Sequence, residues 1–401
     1  MSSPQPEPVA PIAPISQGGL LLHIGSPKAG STALQNAMNG QRALLAEHGA
    51  HYAGQGYRPA AAGWAVLGKK APAGHPQAAM KEWEKLVAEC RDHADERVCL
   101  SNEDLSRADD ASAERIVCEL GPDRVHLLYV VRPLDRLLPS TWQERIKARV
   151  TSTYDEWLRV VLGEPSDVFE YANYWVPRDL STLLERWGRL IPAERITLIC
   201  SDDRDRELLP RAFESLLGLP AGSLPLQSGG RANRGLTANE AELMRRINLV
   251  ADSEKWSAEE YLTFGQRGVA EELRRSEPSP SDVKSPALPG WAAETVRELS
   301  DRTIETVLAS GARVIGDPES LRSRLAAQTA ETPEISSVQI DTAVAAVLGA
   351  ISGGRRRARE QRSSKRKRLA TTASGPSVSD LSSKELAKVI AGRARARFRA
   401  G

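Results

Sequence analysis

Residues Leu20–Gln35 read LLLHIGSPKAGSTALQ, an apolar strand that runs into a glycine loop and then into a helix. Such a run forces a strand and a helix to pack side by side within a few residues. The strand is Leu20–Ile24. A helical stretch is expected from about Ser31 to Glu47, with Leu34, Met38, Leu44 and Leu45 as apolar positions and Gly40 weakening its middle. The alternation continues along the chain. A helix around Gln77–Cys90 precedes a second strand, Arg97–Ser101. A third strand, Arg124–Val131, is apolar apart from His126, as in a parallel strand buried on both faces. A helix over Leu180–Leu190 precedes a fourth strand, Arg195–Cys200. Strands alternating with helices predict an α/β fold whose central, mainly parallel sheet is flanked by helices. Ligands of such sheets bind at the carboxyl ends of the strands.

The flanking regions differ in character. Residues 1–17 hold five prolines and few large apolar side chains, and are expected to be a disordered leader. They have neither the basic start nor the apolar run of a signal peptide, and no apolar run approaches the ~20 residues of a membrane span. Thr237–Leu308 is mostly helical in pattern, interrupted by a Pro/Ser-rich loop at Ser276–Gly290. Trp291–Ala309 is expected as a helix with Val296, Leu299, Ile304, Val307 and Leu308 as apolar positions. Residues 326–354 form an Ala/Thr/Ser-rich linker with one short helix expected at Val338–Ala350. A basic, largely disordered tail follows, in which Ser382–Glu385 has the pattern of a capping box for a last basic helix. The expected division is therefore a leader over 1–17, one domain over 18–325, and a linker with tail over 326–401.

Charge sharpens that division. The whole chain carries 54 Lys+Arg and 52 Asp+Glu, but Arg355–Gly401 holds 15 basic residues and three acids, a net +12. Residues 1–354 hold 39 basic and 49 acidic residues, a net −10. An acidic body with a basic tail points to an anionic partner for the tail, a polyanion, an anionic membrane surface or the acidic body itself, with a solubilising extension as the plainer reading. No specific nucleic acid is expected. The four cysteines, Cys90, Cys99, Cys118 and Cys200, form no paired motif and are expected to be ordinary buried thiols in a cytoplasmic protein.

The loop Gly25-Ser26-Pro27-Lys28-Ala29-Gly30-Ser31-Thr32 has the makings of an anion cradle. Glycines let the backbone approach a phosphate closely. Free N–H groups and the positive end of the helix dipole meet there, Ser31 and Thr32 add hydroxyls, and Lys28 adds a full charge. The plainer reading is a tight turn that uses glycine for geometry alone. The pattern is not a Walker A loop, in which lysine directly follows the last glycine. Here Lys28 stands two residues before Gly30, where it can reach over a phosphate to a transferred group. At the end of the third strand, Arg132 is followed eight residues later by Ser140. A guanidinium holds phosphate bidentately, and a serine hydroxyl adds a hydrogen bond; the plainer reading of Arg132 is a helix-capping or salt-bridging arginine.

Both segments resemble the cofactor loops of sulfotransferases that use 3′-phosphoadenosine 5′-phosphosulfate (PAPS). Gly25–Thr32 is similar to that family's 5′-phosphosulfate loop, and Arg132 with Ser140 to its 3′-phosphate site. The resemblance spans roughly residues 18–325 and is carried by 20–35 and 125–145. It implies a three-layer P-loop fold, transfer of a sulfuryl group to a hydroxyl or amine, and no metal. It also implies a loop lysine that stabilises charge on the leaving phosphate. A late basic loop closes over the 3′-phosphate in the family, a role that Arg231 and Arg234, in Gly230–Leu236, match.

A general base must stand beside the transferring group. Glu103, just past the second strand, occupies the kind of position where the family carries a histidine or glutamate, and burial would raise its pKa. Glu47, His48 and His51 are rivals, and Asp104 is expected as a helix N-cap. Trp142 either lines the acceptor cleft or packs in the core, the commoner fate, while Trp64, Trp83, Trp157, Trp175 and Trp187 are expected to be structural. The acceptor, a glycan, glycolipid or small metabolite, would be held by segments 53–80, 150–180 and 255–290. Two other readings stand beside this one: a P-loop nucleotide kinase or NTPase, and a polyanion-binding protein that works through its tail.

Overall fold

The strand Leu20–His23 (β1) is wholly buried, because a strand on each side and a helical layer on each face cover it. The computed structural model describes residues 12–71, 78–226, 234–323 and 335–373, with backbone only for 365–373. Six parallel strands form one sheet in the order β2-β3-β1-β4-β5-β6. They are β1, β2 (Ala50–Tyr52), β3 (Arg97–Ser101), β4 (Val125–Val131), β5 (Ile196–Cys200) and β6 (Arg313–Ile315). The expected α/β architecture with a parallel sheet is thus observed, and the two edge strands are additions to it.

Alternation along the strands builds the two cores. Leu20, Leu22, Leu100, Val125 and Leu127 face one layer, which holds the helices Met80–Asp92, Asp110–Leu120 and Leu180–Gly188 and the buried indoles of Trp83 and Trp187. Leu21, Cys99, Leu128, Val130 and Ile199 face the other, where Leu34, Met38, Phe213 and Leu217 come from the helices Ser31–Gly40 and Leu208–Leu217. A third cluster is all helical. Leu138, Trp142, Trp157, Tyr174, Met244, Val269 and Val296 pack together beyond the carboxyl end of β4.

Several expectations need correction. The long helix after the loop is two, Ser31–Gly40 and Arg42–Glu47, broken at Gln41 next to the expected weak point. Leu308 is exposed rather than part of the buried stripe of Gly290–Ala309. The end of the proline-rich leader is docked. Ile15 is buried, its N–H donates to the Leu216 carbonyl, and its own carbonyl accepts from Arg97 Nε. Residues 1–11 lie outside the described residues. Cys118 is exposed, whereas Cys90, Cys99 and Cys200 are buried as free thiols.

The largest departure concerns the supposed linker. The helix Ile340–Ala373 starts inside it and continues through the first basic run. Ala345 and Ala346 are buried in the helical core, so the folded body reaches past residue 325. Small residues make this contact. A Cβ at Gly349 would stand 2.7 Å from the Gly268 carbonyl oxygen, so only glycine permits the two backbones to approach so closely. Opposite it, Tyr261–Ala270 has π-helical hydrogen bonding. The expected capping box at 382–385 and the last basic helix lie outside the described residues. Among the described residues, no helix is long and apolar enough to cross a membrane.

Candidate anion-binding and catalytic site

Strand order fixes where a site can form. After β1 the chain crosses to β2, beyond β3, and after β3 it crosses to β4 on the opposite side of β1. The connections therefore leave in opposite directions around β1, and the crevice at its carboxyl end is the switch point where open sheets bind ligands. Three turns meet there: Gly25–Gly30 after β1, Asn102–Glu103 after β3 and Arg132–Pro133 after β4. Backbone bonds hold them in register. Asn102 N donates to His23 O at 2.9 Å, and Ser26 N donates to Val130 O at 3.0 Å.

The first turn has the dihedrals of a cradle. Gly25 (φ 130°) and Gly30 (φ 92°) occupy positive φ, and so does Lys28 (φ 73°). For a lysine that conformation costs about 1–2 kcal/mol, which the surrounding bonds must hold. Gly30 is the N-cap of the helix Ser31–Gly40, which has no side-chain cap and no acid in its first turn. Its first N–H donors and its positive dipole end are thus unspent. The hydroxyls of Ser26 and Ser31, each 1% exposed, make no hydrogen bond. A buried polar group without a partner costs about 1–3 kcal/mol, and the oxygens of a bound anion would relieve both. Ala29 is buried beneath the turn, Pro27 is half-buried, and Thr32 is exposed.

Lys28 and Arg132 already have carboxylates. Lys28 Nζ lies 2.7 Å from Glu144 Oε1, on the helix Leu134–Lys147, and Lys147 binds the same oxygen. Burial pushes the Glu144 carboxyl up, but Lys28 and Lys147 outweigh it and hold it at about 2. Arg132 donates through Nη1 to the Lys28 carbonyl (2.7 Å) and through Nη2 to both oxygens of Asp203 (3.0 and 3.2 Å), just past β5. Arg132 therefore clamps the loop and faces the site with a shared charge. Arg136 also approaches Asp203. Ser140, half-buried one helical turn beyond Arg136, makes no side-chain hydrogen bond among the described residues.

Glu103 opens a short 3₁₀ turn, Glu103–Arg107, after β3. Burial pushes its carboxyl up to about 7, against the pull of Arg58, Lys28 and Arg178 and with the push of Asp104. It can therefore both hold and release a proton near neutrality, as acid–base work requires. The expected N-cap, Asp104, does other work. Asn102 is the cap, with Oδ1 accepting from Asp104 N, while Asp104 pairs with Arg58 and accepts from Trp64 Nε1. Sequence reasoning missed Arg178. It is 8% exposed, donates to Tyr174 O, Pro27 O and Thr141 Oγ1, and leaves Nε without a partner. It joins the Gly25–Gly30 turn to the helical layer. No spacing in the sequence signals this contact or the one between Lys28 and Glu144.

The rival bases stand elsewhere. His51 is in register with Val98, three residues before Ser101, which is about 10 Å back along the sheet. It bonds Glu89 and stacks on His93. Glu47 and His48 are exposed before β2, on the amino side of the sheet. Arg234 is committed to structure: it forms an ion pair with the buried Glu240 and donates to the carbonyls of Leu273 and Ser276. Arg231 lies outside the described residues.

A cleft leads away from the loop. Ser26, Arg132 and Arg178 line its inner end with Trp175, Ser300 and Thr303. It opens into a wider groove walled by Tyr171, Trp175, Asp179, Arg186 and Arg302. Trp175, expected to be structural, thus lines the cleft, while Trp142 is core. Segment 150–180 contributes to this groove, and segment 53–80 lines a separate hollow around Arg58 and Trp64. Among the described residues, no group of three or more His, Cys, Asp or Glu is placed to hold a metal ion. No protein-family model, curated protein or solved structure matches the chain.

Proposed function

We propose that the chain is a PAPS-dependent sulfotransferase of the P-loop type, acting on a hydroxyl or amine of an acceptor held in the Trp175 cleft. The observation that carries this reading is the meeting, at the carboxyl end of β1, of an anion cradle and a carboxyl held near neutrality. Cradles alone serve many phosphate ligands. A recessed carboxyl beside the cradle adds a group that can take a proton from an incoming nucleophile.

The residues fit the donor. The unspent N–H groups of the helix Ser31–Gly40 and the hydroxyls of Ser26, Ser31 and Thr32 would hold the 5′ end. Arg132 and Ser140 would hold the 3′-phosphate, with Arg132 exchanging Asp203 for it. The donor supplies an activated sulfuryl group. Lys28, freed from Glu144, then sets a positive charge against the leaving phosphate. Glu103, deprotonated, accepts the acceptor's proton, and Arg178 fixes the floor of the cleft through Pro27. Within an acidic body, these cations supply the local positive potential that a highly anionic ligand needs.

Calorimetric titration with adenosine 3′,5′-bisphosphate tests the reading. Wild type is expected to bind, and Lys28→Ala and Arg132→Ala to bind about 10–100-fold more weakly, the effect of losing one charge-assisted hydrogen bond. Equal binding by all three proteins would remove the assignment. Tighter binding of ATP with Mg²⁺ than of the bisphosphate would turn it towards a nucleotide kinase.

A further inference from the structure

The helix Ile340–Ala373 has two faces with different fates. Thr342, Ala345, Ala346, Gly349 and Gly353 recur at helical spacing and are buried against the body. On the opposite side, Ile340, Val344, Val347, Leu348 and Ile351 are between 46% and 80% exposed. They form one apolar stripe at the i, i+4, i+7, i+8, i+11 positions. The stripe does not end in a cap or a turn. Three and four residues at a time, the same line of the helix continues through Arg355, Arg359 and Arg362, all exposed. No acid lies on this line.

The remaining charges show how the two faces are sorted. Arg356 and Arg357 turn back to the body and pair with Glu271 (3.4 Å) and Glu259 (2.8 Å). Arg355, Arg359 and Arg362 make no ion pair among the described residues. The body thus neutralises the arginines that fix the helix and, among the described residues, leaves the outward ones unanswered. Nine of the 14 residues Arg355–Arg368 are Lys or Arg.

We propose that this outward line is a docking surface for an anionic lipid bilayer, with the apolar half at the acyl boundary and the basic half on the headgroups. A bilayer surface offers both environments side by side. Phosphates of a nucleic acid would answer the arginines but leave five aliphatic side chains in water. A second copy of the helix would cover the aliphatic half, yet parallel pairing would set the arginines against their own copies, and antiparallel pairing would leave them uncovered. The helix would lie in the plane of the surface with its other side still fastened to the protein. This inference is independent of the catalytic reading.

Vesicle flotation with the full chain tests it, using pure phosphatidylcholine and phosphatidylcholine mixed with phosphatidylserine. Wild type is expected to float only with the mixed vesicles. The triple variant Arg355→Gln, Arg359→Gln, Arg362→Gln is expected to bind at least tenfold more weakly. The triple variant Val347→Gln, Leu348→Gln, Ile351→Gln is expected to lose about as much, and it separates docking of the stripe from simple attraction by the remaining basic residues. All six positions are exposed, so unchanged circular dichroism is expected for both variants. Absence of wild-type flotation with mixed vesicles would overturn the proposal. So would full binding by the aliphatic variant, tighter binding of a DNA duplex than of vesicles, or a wild-type dimer that the aliphatic variant abolishes.

Discussion

The ammonium group of Lys28 sits 2.7 Å from a carboxylate oxygen of Glu144, across 116 residues of sequence. In the proposed reaction, a ligand phosphate would compete with that carboxylate for the same lysine. In Glu144→Gln the competitor is neutral, and adenosine 3′,5′-bisphosphate is expected to bind about 3–10-fold more tightly, the scale of a half-exposed ion pair. Calorimetry reads this directly, and unchanged affinity would mean that Lys28 does not meet the ligand.

The same pair predicts acid sensitivity. Lys28 and Lys147 hold the folded Glu144 carboxyl at about 2 against an unfolded value of 4.5. The folded state therefore binds fewer protons, and the stabilisation is full above pH 4.5 and lost as pH falls towards 2. Because Glu144 is 41% exposed, solvent screening reduces the contribution to about 1 kcal/mol. Urea denaturation of wild type and Glu144→Gln should differ at pH 6 and converge near pH 2.

Glu103 predicts the opposite sign. Burial raises its carboxyl from 4.5 to about 7, so the ionised form is disfavoured in the folded state. Stability is lost as pH rises from 4.5 through 7, and Glu103→Gln is expected to be more stable than wild type at pH 8 by about 1–3 kcal/mol. Activity should run the other way. As the proposed base, Glu103 would work deprotonated, so kcat/KM should rise with pH through about 7. Glu103→Gln should bind the bisphosphate normally and turn over at least ~100-fold more slowly. Removing the Arg58 charge, which pulls this carboxyl down, should move the acid limb of the profile to higher pH.

Arg234 separates folding from ligand binding. Its partner Glu240 is 2% exposed. Arg234→Ala strands that carboxylate, and a loss of about 3–5 kcal/mol of stability is expected. The bisphosphate affinity of the folded protein should not change. A weakened affinity with unchanged stability would return Arg234 to the site.

What the sequence discloses follows from physics that is local. β1, β3, β4 and β5 are legible because strands buried on both faces must be apolar throughout, as Val125–Val131 is almost entirely. The edge strands Ala50–Tyr52 and Arg313–Ile315 are three residues each and carry no such run. Gly25–Thr32 is legible because its glycines and its uncapped helix start are written in consecutive residues. The partners of its cations are not, since Glu144 and Asp203 reach Lys28 and Arg132 only through the fold. The pairing of Arg234 is hidden for the same reason: a loop arginine looks alike in sequence whether it meets a phosphate or Glu240. The helix Ile340–Ala373 is hidden by its composition. Ala345, Ala346, Gly349 and Gly353 look like linker residues until another backbone presses against them.

That last contact also sets an order of events during synthesis. The helical core of Trp142, Met244 and Val296 is closed on one side by Ala345 and Ala346, which the ribosome makes late. The helix Gly290–Ala309 is complete well before Gly353 exists. At about 5–20 residues per second, several seconds pass between them. Throughout that interval the sheet half of the protein can fold, while Val269 and its neighbours wait uncovered. The nascent chain is then most exposed to chaperones and proteases in its middle, and the segment that relieves it is, among the described residues, the last buried piece to emerge.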